Sequence, residues 1–160
     1  MKTINIFLII LGVLIIAFVF YQNSKVEEKI PVSLYYYNSS LDQDETGNIM
    51  CSQKGIVEVK REMLKTITPI QDSIKLLLNG DLTEEEKALG ISTEYPLDGF
   101  SLKGASLKDG DLTLEFNDFN NKTVGGSCRT AILWFQIRNT AMQFPEVKTV
   151  KFIPEELFQP

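Results

Sequence analysis

The segment SLKDGDLTLEF, residues 106–116, predicts the best-defined element of the fold. Asp109 and Gly110 stand between two runs of alternating apolar residues, and an Asp-Gly pair in that position is a strong signal for a β-hairpin. Gly104 interrupts the first run, which indicates a β-bulge or a close packing contact. The second run places its apolar side chains on one face of a strand: Leu112, Leu114 and Phe116.

Three further strands are predicted outside the hairpin. Residues 32–37, VSLYYY, alternate between two faces that are both largely apolar. Residues 56–61, IVEVKR, alternate with Val57 and Val59 facing inward. The last strand covers residues 147–153, and the proline that follows ends it.

Two helices are predicted between the second strand and the hairpin. Thr68 is the expected N-cap of the first helix, with Pro69 at the first helical position and Gln71 placed to complete a capping box. Thr83 is the expected N-cap of the second helix, with Glu86 three residues further on. The first helix has an apolar stripe that is expected to be buried: Ile70, Ile74, Leu77 and Leu78.

A longer helix is predicted over residues 128–144, with Ser127 as its cap after two turn-forming glycines. The first two turns of this helix are apolar on nearly all sides. It is therefore either a central core helix or a helix that presents Trp134 or Phe135 to a partner. Core packing is the simpler interpretation.

The order of these elements is β-β-α-α-β-β-α-β, which indicates a single small α+β domain over residues 32–154. We expect one mixed or antiparallel sheet, packed by two main helices. Residues 155–160 form a C-terminal tail after the last strand.

Residues 4–21 contain no charged side chain and are the predicted transmembrane helix. Eighteen helical residues rise about 27 Å, close to the thickness of the hydrocarbon core of a bilayer. A cleaved signal peptide is the alternative, although its apolar region is usually shorter, about 7–15 residues. An uncleaved anchor leaves residues 1–3 as a short cytoplasmic tail and residues 22–31 as a tether.

Cys51 and Cys128 are the two cysteines of the chain. An even pair fits one disulfide in an oxidising compartment, although two thiols in a reducing cytosol would look the same in sequence. A metal site is the weaker alternative, because zinc takes about four ligands and the chain contains no histidine. We therefore expect a single-pass protein of the cytoplasmic membrane whose C-terminal domain is extracytoplasmic.

The net charge of the chain is −5, and its lysines and carboxylates are interspersed. Binding of nucleic acid requires a basic surface, so the charge argues against this class of partner. No cofactor motif is present in the sequence, and no cofactor is expected.

Residues 125–129, GGSCR, match the start of a nucleophile elbow without its closing glycine. A serine triad also needs a histidine, which the chain lacks. A turn followed by a capped helix is the simpler interpretation. The functional alternative is a helix N-terminus at which Ser127 and Arg129 contact a carboxylate of peptidoglycan or of a protein partner.

Two groups of carboxylates are candidate sites. Residues 42–47, DQDETG, match the opening of a calcium loop, but Gln53 stands where the closing glutamate is needed, so a polar turn is the better account. A second group could serve a glycosidase that uses paired carboxylates, although strand alternation and the hairpin would separate its members. This group comprises Asp109, Asp111, Glu115 and Asp118.

Five segments, taken in order, carry a resemblance to a known domain. They are VSLYYY at 32–37, LLLNGDLTEEEKALG at 76–90, SLKDGDLTLEF at 106–116, GGSCRTAI at 125–132 and QFPEVKTVKF at 143–152. Together they make the chain from residue 32 onward resemble the GerMN domain, the module named after the spore germination protein GerM and found in bacterial envelope lipoproteins.

The resemblance implies a small α+β fold related to the ring-building modules of envelope-spanning assemblies. It also implies a module without catalysis that binds or scaffolds a cell-envelope protein or peptidoglycan, in sporulation, germination or envelope assembly, and that can form a homo-oligomer. The alternative function is a carboxylate-dependent cell-wall hydrolase, which would release soluble muropeptides from the wall.

Overall fold

Six strands and three helices make up the part of the chain that the computed structural model describes, residues 27–159. The predicted transmembrane helix at 4–21 lies outside these residues. Within 27–159, no helix combines the length and the apolar character that crossing a bilayer requires. The elements are β1 (Lys29–Asn38), β2 (Ile56–Leu64), α1 (Pro69–Leu78), α2 (Glu84–Ala88), β3 (Ile91–Ser92), β4 (Phe100–Lys108), β5 (Asp111–Asp118), α3 (Ser127–Met142) and β6 (Thr149–Ile153).

The first sheet has the order β2-β1-β3, and all of its pairs are antiparallel. Strand β1 begins at Lys29, which pairs with Leu64, so it starts three residues before the predicted position. The predicted alternation is confirmed, because one face of β1 is buried in the core through Val32, Leu34 and Tyr36. The two-residue strand β3 was not predicted from the sequence.

The second sheet has the order β4-β5-β6 and contains the predicted hairpin. Asp109 and Gly110 adopt positive φ values of 55° and 97°, as a tight two-residue turn requires. The register between β4 and β5 shifts between Leu102 and Gly104, which confirms the predicted bulge. Strand β6 pairs with β5 in parallel, after the crossover through α3.

The prediction of one sheet is wrong: the strands form two sheets of three. Beyond the two residues that pair with β3, the outer edge of β1 is bonded by side chains of α3 and of its C-cap residue Gln143. The Gln143 side chain accepts from the Ser33 N–H at 2.8 Å and donates to the Ser33 carbonyl at 2.7 Å. The Thr140 hydroxyl accepts from the Tyr35 N–H at 3.1 Å. These side chains occupy backbone positions of β1 at which another strand could pair.

The two predicted capping boxes have different outcomes. At α2 the box is confirmed, because the Glu86 carboxylate accepts from the Thr83 N–H at 2.9 Å and the Thr83 hydroxyl accepts from the Glu86 N–H. At α1 the box is wrong, since Thr68 makes no side-chain cap bond. Its hydroxyl donates instead to the Asp72 carboxylate at 3.0 Å, which lies one helical turn further on.

Helix α3 begins at Ser127, and its N-cap residue is Gly126 with no side-chain cap bond. The prediction that Ser127 caps the helix is therefore wrong by one position, because Ser127 is already helical. The helix contacts β1, α1 and β6. Its inner face is fully buried, and a single apolar core includes residues of both sheets and of helices α1 and α3. The buried apolar residues of α3 are Leu133, Ile137 and Ala141.

Candidate functional site

A surface cavity of about 700 Å³ lies between the first half of α3, the strand β6 and the segment that follows β6. We call it the Trp134 groove. The groove is lined by Ser127, Thr130, Ala131, Trp134, Val150, Lys151, Phe152, Glu155, Leu157, Phe158 and Gln159.

The groove follows the outer edge of β6. Successive residues of a strand point to opposite faces of the sheet, yet the three consecutive residues Val150, Lys151 and Phe152 all line the groove. Strand β6 is also the last strand of its sheet among residues 27–159, with β5 on its other side. Among the described residues, the backbone N–H and C=O groups on this edge of β6 therefore have no strand partner.

Aromatic rings form the floor of the groove and continue into the core. The Phe152 ring centroid lies 6.2 Å from that of Trp134 and 5.5 Å from that of Phe158. It also lies 5.9 Å from the ring of Phe116, which is buried. Arg138 stacks over Trp134, with its guanidinium carbon 5.4 Å from the ring centroid. The floor is thus apolar and is held in place by the core beneath it.

Polar side chains line the groove's rim and carry charges of both signs. Lys151 is exposed and lies 3.8 Å from the Asp111 carboxylate on the neighbouring strand. Glu155 and Gln159 are exposed on the segment that follows β6, and Ser127 is exposed at the start of α3. An apolar floor with a polar rim is the usual composition of a surface that recognises another molecule.

Of the three predicted contact residues, the structure brings two into the groove. Ser127 and Trp134 line it, one at the rim and one in the floor. Arg129 lies elsewhere: its Nε donates to the Glu94 carboxylate at 2.7 Å, and its guanidinium also donates to the Val124 carbonyl at 2.8 Å. A contact of Arg129 with an external carboxylate stays a prediction, and it would compete with Glu94.

Sequence reasoning missed the half of the groove that β6 and the following segment contribute. Leu157 and Phe158 are 8% and 7% exposed, although they come after the last strand in a region predicted to be a tail. The sequence does contain a signal for this burial: Leu157 and Phe158 are two large apolar residues in a short segment, and such residues are usually buried.

The two cysteines lie close to the groove. Cys51 and Cys128 are joined by a disulfide, with a distance of 5.1 Å between their Cα atoms. Cys128 directly follows the rim residue Ser127. The disulfide therefore ties the loop between β1 and β2 to the helix end that borders the groove.

The residues that matched the opening of a calcium loop are used within the loop itself. Asp42 is 1% exposed, and its carboxylate accepts from the Tyr37 hydroxyl at 2.8 Å and from the Ser52 N–H at 2.7 Å. The carboxylate of Asp44 accepts hydrogen bonds from Thr46 and Asn48, which hold the pKa of Asp44 well below its usual range. These bonds describe a polar turn. No group of acidic or cysteine residues within 27–159 has an arrangement that could hold a metal ion.

Three of the four carboxylates predicted as a possible glycosidase pair have separate partners along the hairpin: Asp111, Glu115 and Asp118. Glu115 pairs with Lys103, and Asp111 accepts from the Thr149 hydroxyl at 2.6 Å. Burial acts to raise the pKa of Asp118, but its hydrogen bonds from Thr123 and the Lys122 N–H lower the pKa by more. A lowered pKa suits a structural carboxylate, whereas the general acid of a glycosidase needs a raised one.

Comparison with known proteins gives consistent results. The family model Germane, described as "Sporulation and spore germination", matches residues 33–155. Among solved structures, the tandem GerMN domains of the sporulation protein GerM from Bacillus subtilis are similar, with a TM-score of 0.54 and 21% identity. That match covers 82% of this chain, which spans only 42% of the tandem structure.

The first GerMN domain of the same Bacillus subtilis protein matches with a TM-score of 0.52 and 16% identity, over 77% of this chain and 80% of that one. At these identities the two structures establish the fold. No curated protein matches the chain. Since the family model covers most of the chain, from residue 33 to residue 155, the protein belongs to the Germane family of sporulation and spore germination domains.

Proposed function

We propose that this protein is a membrane-anchored, non-catalytic module that works outside the cytoplasm and binds an extended segment of a cell-envelope protein in the Trp134 groove. The observation that carries the proposal is the edge of β6, which is open to the groove along Val150, Lys151 and Phe152. A peptide that adds a strand to such an edge gains backbone hydrogen bonds, and the neighbouring pockets select its side chains.

The aromatic floor favours a protein segment over a polysaccharide alone as the ligand. Trp134, Phe152 and Phe158 offer apolar rings to side chains, while the edge of β6 offers donors and acceptors at the spacing of a polypeptide backbone. Peptidoglycan is the other class of ligand expected from the sequence, and its peptide stems would fit only part of this arrangement. The experiment below distinguishes the two classes.

Several observations support a role without catalysis. The chain has no histidine, and the hairpin carboxylates of Asp111 and Glu115 have separate partners, Thr149 and Lys103. The predicted contacts at Ser127 and Arg129 lie on different sides of the start of α3. GerM of Bacillus subtilis is a sporulation protein, and we propose that this protein serves sporulation, germination or envelope assembly.

The proposed anchor is the uncharged segment at residues 4–21, and the proposed compartment is an oxidising one that would maintain the Cys51–Cys128 disulfide. In cells, we expect the full chain to stay in the membrane fraction after alkaline carbonate washing. We expect thiol alkylation to modify neither cysteine unless a reductant is added first. Two alkylated cysteines in unreduced, freshly lysed cells would contradict the extracytoplasmic location.

The groove is tested by photo-cross-linking in cells. With a benzoylphenylalanine probe at Gln159, on the rim, we expect an adduct with one polypeptide. The substitution Ser127→Tyr, which places a large side chain in the opposite rim, should lower the yield about tenfold, equivalent to roughly 1.4 kcal/mol of lost binding.

The matched control is Lys60→Tyr, on an exposed position of β2, which should leave the yield unchanged. Adducts that contain only muropeptide would identify the wall as the ligand and contradict the protein-segment proposal. An adduct insensitive to Ser127→Tyr would show that the groove is not the binding site.

A further inference from the structure

Exposed apolar residues lie at the end of the domain where the chain enters β1. Lys29 is the first residue of β1 and pairs with Leu64, the last residue of β2, so both residues lie at this end of the domain. Leu64 is 43% exposed, and Ile67, three residues further on, is 100% exposed. Leu107, at the hairpin end of β4, is 39% exposed. We call Leu64, Ile67 and Leu107 the proximal surface.

A shallow cavity joins two parts of the proximal surface. Its volume is about 260 Å³, and it is lined by Ile67 and the first turn of α1 on one side and by Ala105 and Leu107 on the other. Glu146 is the one acidic residue among its lining residues. The nearby Lys65 is paired with Glu28, with 2.8 Å between Nζ and Oε2. Ile67 and Leu107 therefore belong to one continuous, mostly apolar patch.

The short connecting chain keeps this end of the domain close to the proposed anchor. Only residues 22–28 separate the apolar segment 4–21 from Lys29. Eight Cα–Cα steps from residue 21 to residue 29 span at most about 27 Å, even in a fully extended chain. If residues 4–21 cross the bilayer, the start of β1 cannot move further than this from the membrane surface.

We propose that the proximal surface rests on the lipid bilayer, with the side chains of Ile67 and Leu107 in its interfacial region. This inference rests on the membrane anchoring proposed above. A tether this short keeps the domain at a high local concentration at the membrane, so a small apolar contact is sufficient for docking.

Apolar residues at the opposite end of the domain provide an internal control. Leu41, in the turn directly after β1, is 58% exposed. The ten residues of β1 separate this end from Lys29 by about 33 Å. A domain docked through the proximal surface holds Leu41 away from the bilayer.

Quenching of tryptophan fluorescence by brominated lipid tests the docking. Trp134 is the only tryptophan, so Trp134→Phe gives a dark background in the full chain. Into this background, Ile67→Trp and, separately, Leu41→Trp are introduced, and each protein is reconstituted into vesicles of phosphatidylcholine brominated on its acyl chains. We expect the tryptophan at position 67 to lose at least about half of its emission relative to unbrominated vesicles, and the tryptophan at position 41 to lose none.

Equal quenching at the two positions, or none at position 67, would overturn the docking proposal. Flotation of the same vesicles separates this failure from that of the anchor: a chain that fails to float refutes the proposed anchoring. A chain that floats while position 67 stays unquenched refutes only the docking. Leu107→Trp serves as a second probe of the same surface if Ile67→Trp disturbs folding, as judged by circular dichroism.

Discussion

Replacing Cys51 and Cys128 together by serine is expected to lower the free energy of unfolding of the oxidised protein by about 4 kcal/mol. The disulfide links residues 77 apart in sequence, so it removes many conformations from the unfolded chain. A loss of this size is a large share of the stability of a small domain. Urea denaturation of wild type and double variant, followed by circular dichroism, measures it.

Reduction of the wild-type protein is the matched control for the double variant. The reduced wild type and the Cys51→Ser/Cys128→Ser protein should have the same midpoint, because both lack the same cross-link. An oxidised wild type no more stable than the double variant would mean that the bridge contributes nothing to stability. The single variant Cys51→Ser should match the double variant, since neither contains the bridge.

The substitution Asp42→Ala is expected to cost about 3 to 4 kcal/mol of stability. The Asp42 carboxylate is buried and accepts hydrogen bonds from the Tyr37 hydroxyl, the Ser52 N–H and the Ser52 hydroxyl. Alanine would leave these donors without their acceptor in a region that water reaches poorly. Asp44→Ala, in the exposed part of the same loop, is the matched control and should cost much less stability. A cost for Asp42→Ala no larger than that of Asp44→Ala would contradict the prediction.

The effect of Asp42→Ala should depend on pH. Burial acts to raise the pKa of Asp42, but the hydrogen bonds from Ser52 and Tyr37 lower it by more, so the folded-state pKa lies below the unfolded value of about 3.9. A lowered pKa stabilises the protein fully above the unfolded pKa, and this contribution is lost as the pH falls through the folded pKa. Burial, followed by the bond to Asp42, raises the pKa of Tyr37 to about 12, so Tyr37 remains a donor throughout. The difference between wild type and Asp42→Ala should be constant from about pH 7 to 5 and shrink below about pH 4.

The elements predicted correctly from the sequence are those that local residues determine. Asp109 and Gly110 make the hairpin turn by their own backbone preferences, and the box at Thr83 needs only residues within one helical turn. The box at Thr68 failed although it is equally local. The Thr68 hydroxyl donates to the Asp72 carboxylate and accepts from no N–H of the first helical turn.

The division into two sheets depends on contacts that are far apart in sequence. The Ser33–Gln143 hydrogen bonds join residues separated by 110 positions, and no sequence pattern near either residue predicts them. The parallel pairing of β6 with β5 likewise follows from how α3 crosses between them. Strand alternation predicts which face is buried, but it does not determine which strands are neighbours.

For the same reason, the sequence predicts only the half of the candidate site that lies on α3. The apolar first turns of α3 predict Trp134 as a contact residue, and the GGSCR segment at the helix N-terminus predicts Ser127. Phe152 and Phe158 complete the floor of the groove through tertiary contacts, with 5.5 Å between their ring centroids. Arg129 was selected as a ligand contact, but the partner that the structure gives it, Glu94, lies 35 residues away.

The parallel strand β6 has a consequence for the moment at which the domain folds. If the domain is exported as proposed above, its residues leave the translocation channel in chain order, so β1, β2 and the hairpin emerge before β6. Trp134 and Phe116 then lack Phe152 and Phe158 until residues 149–158 have passed through. On the same proposal, Cys51 would emerge 77 residues ahead of Cys128 and would remain a free thiol until then. The partly emerged chain, with its unpaired cysteine, would therefore be the form most exposed to aggregation and wrong cross-linking.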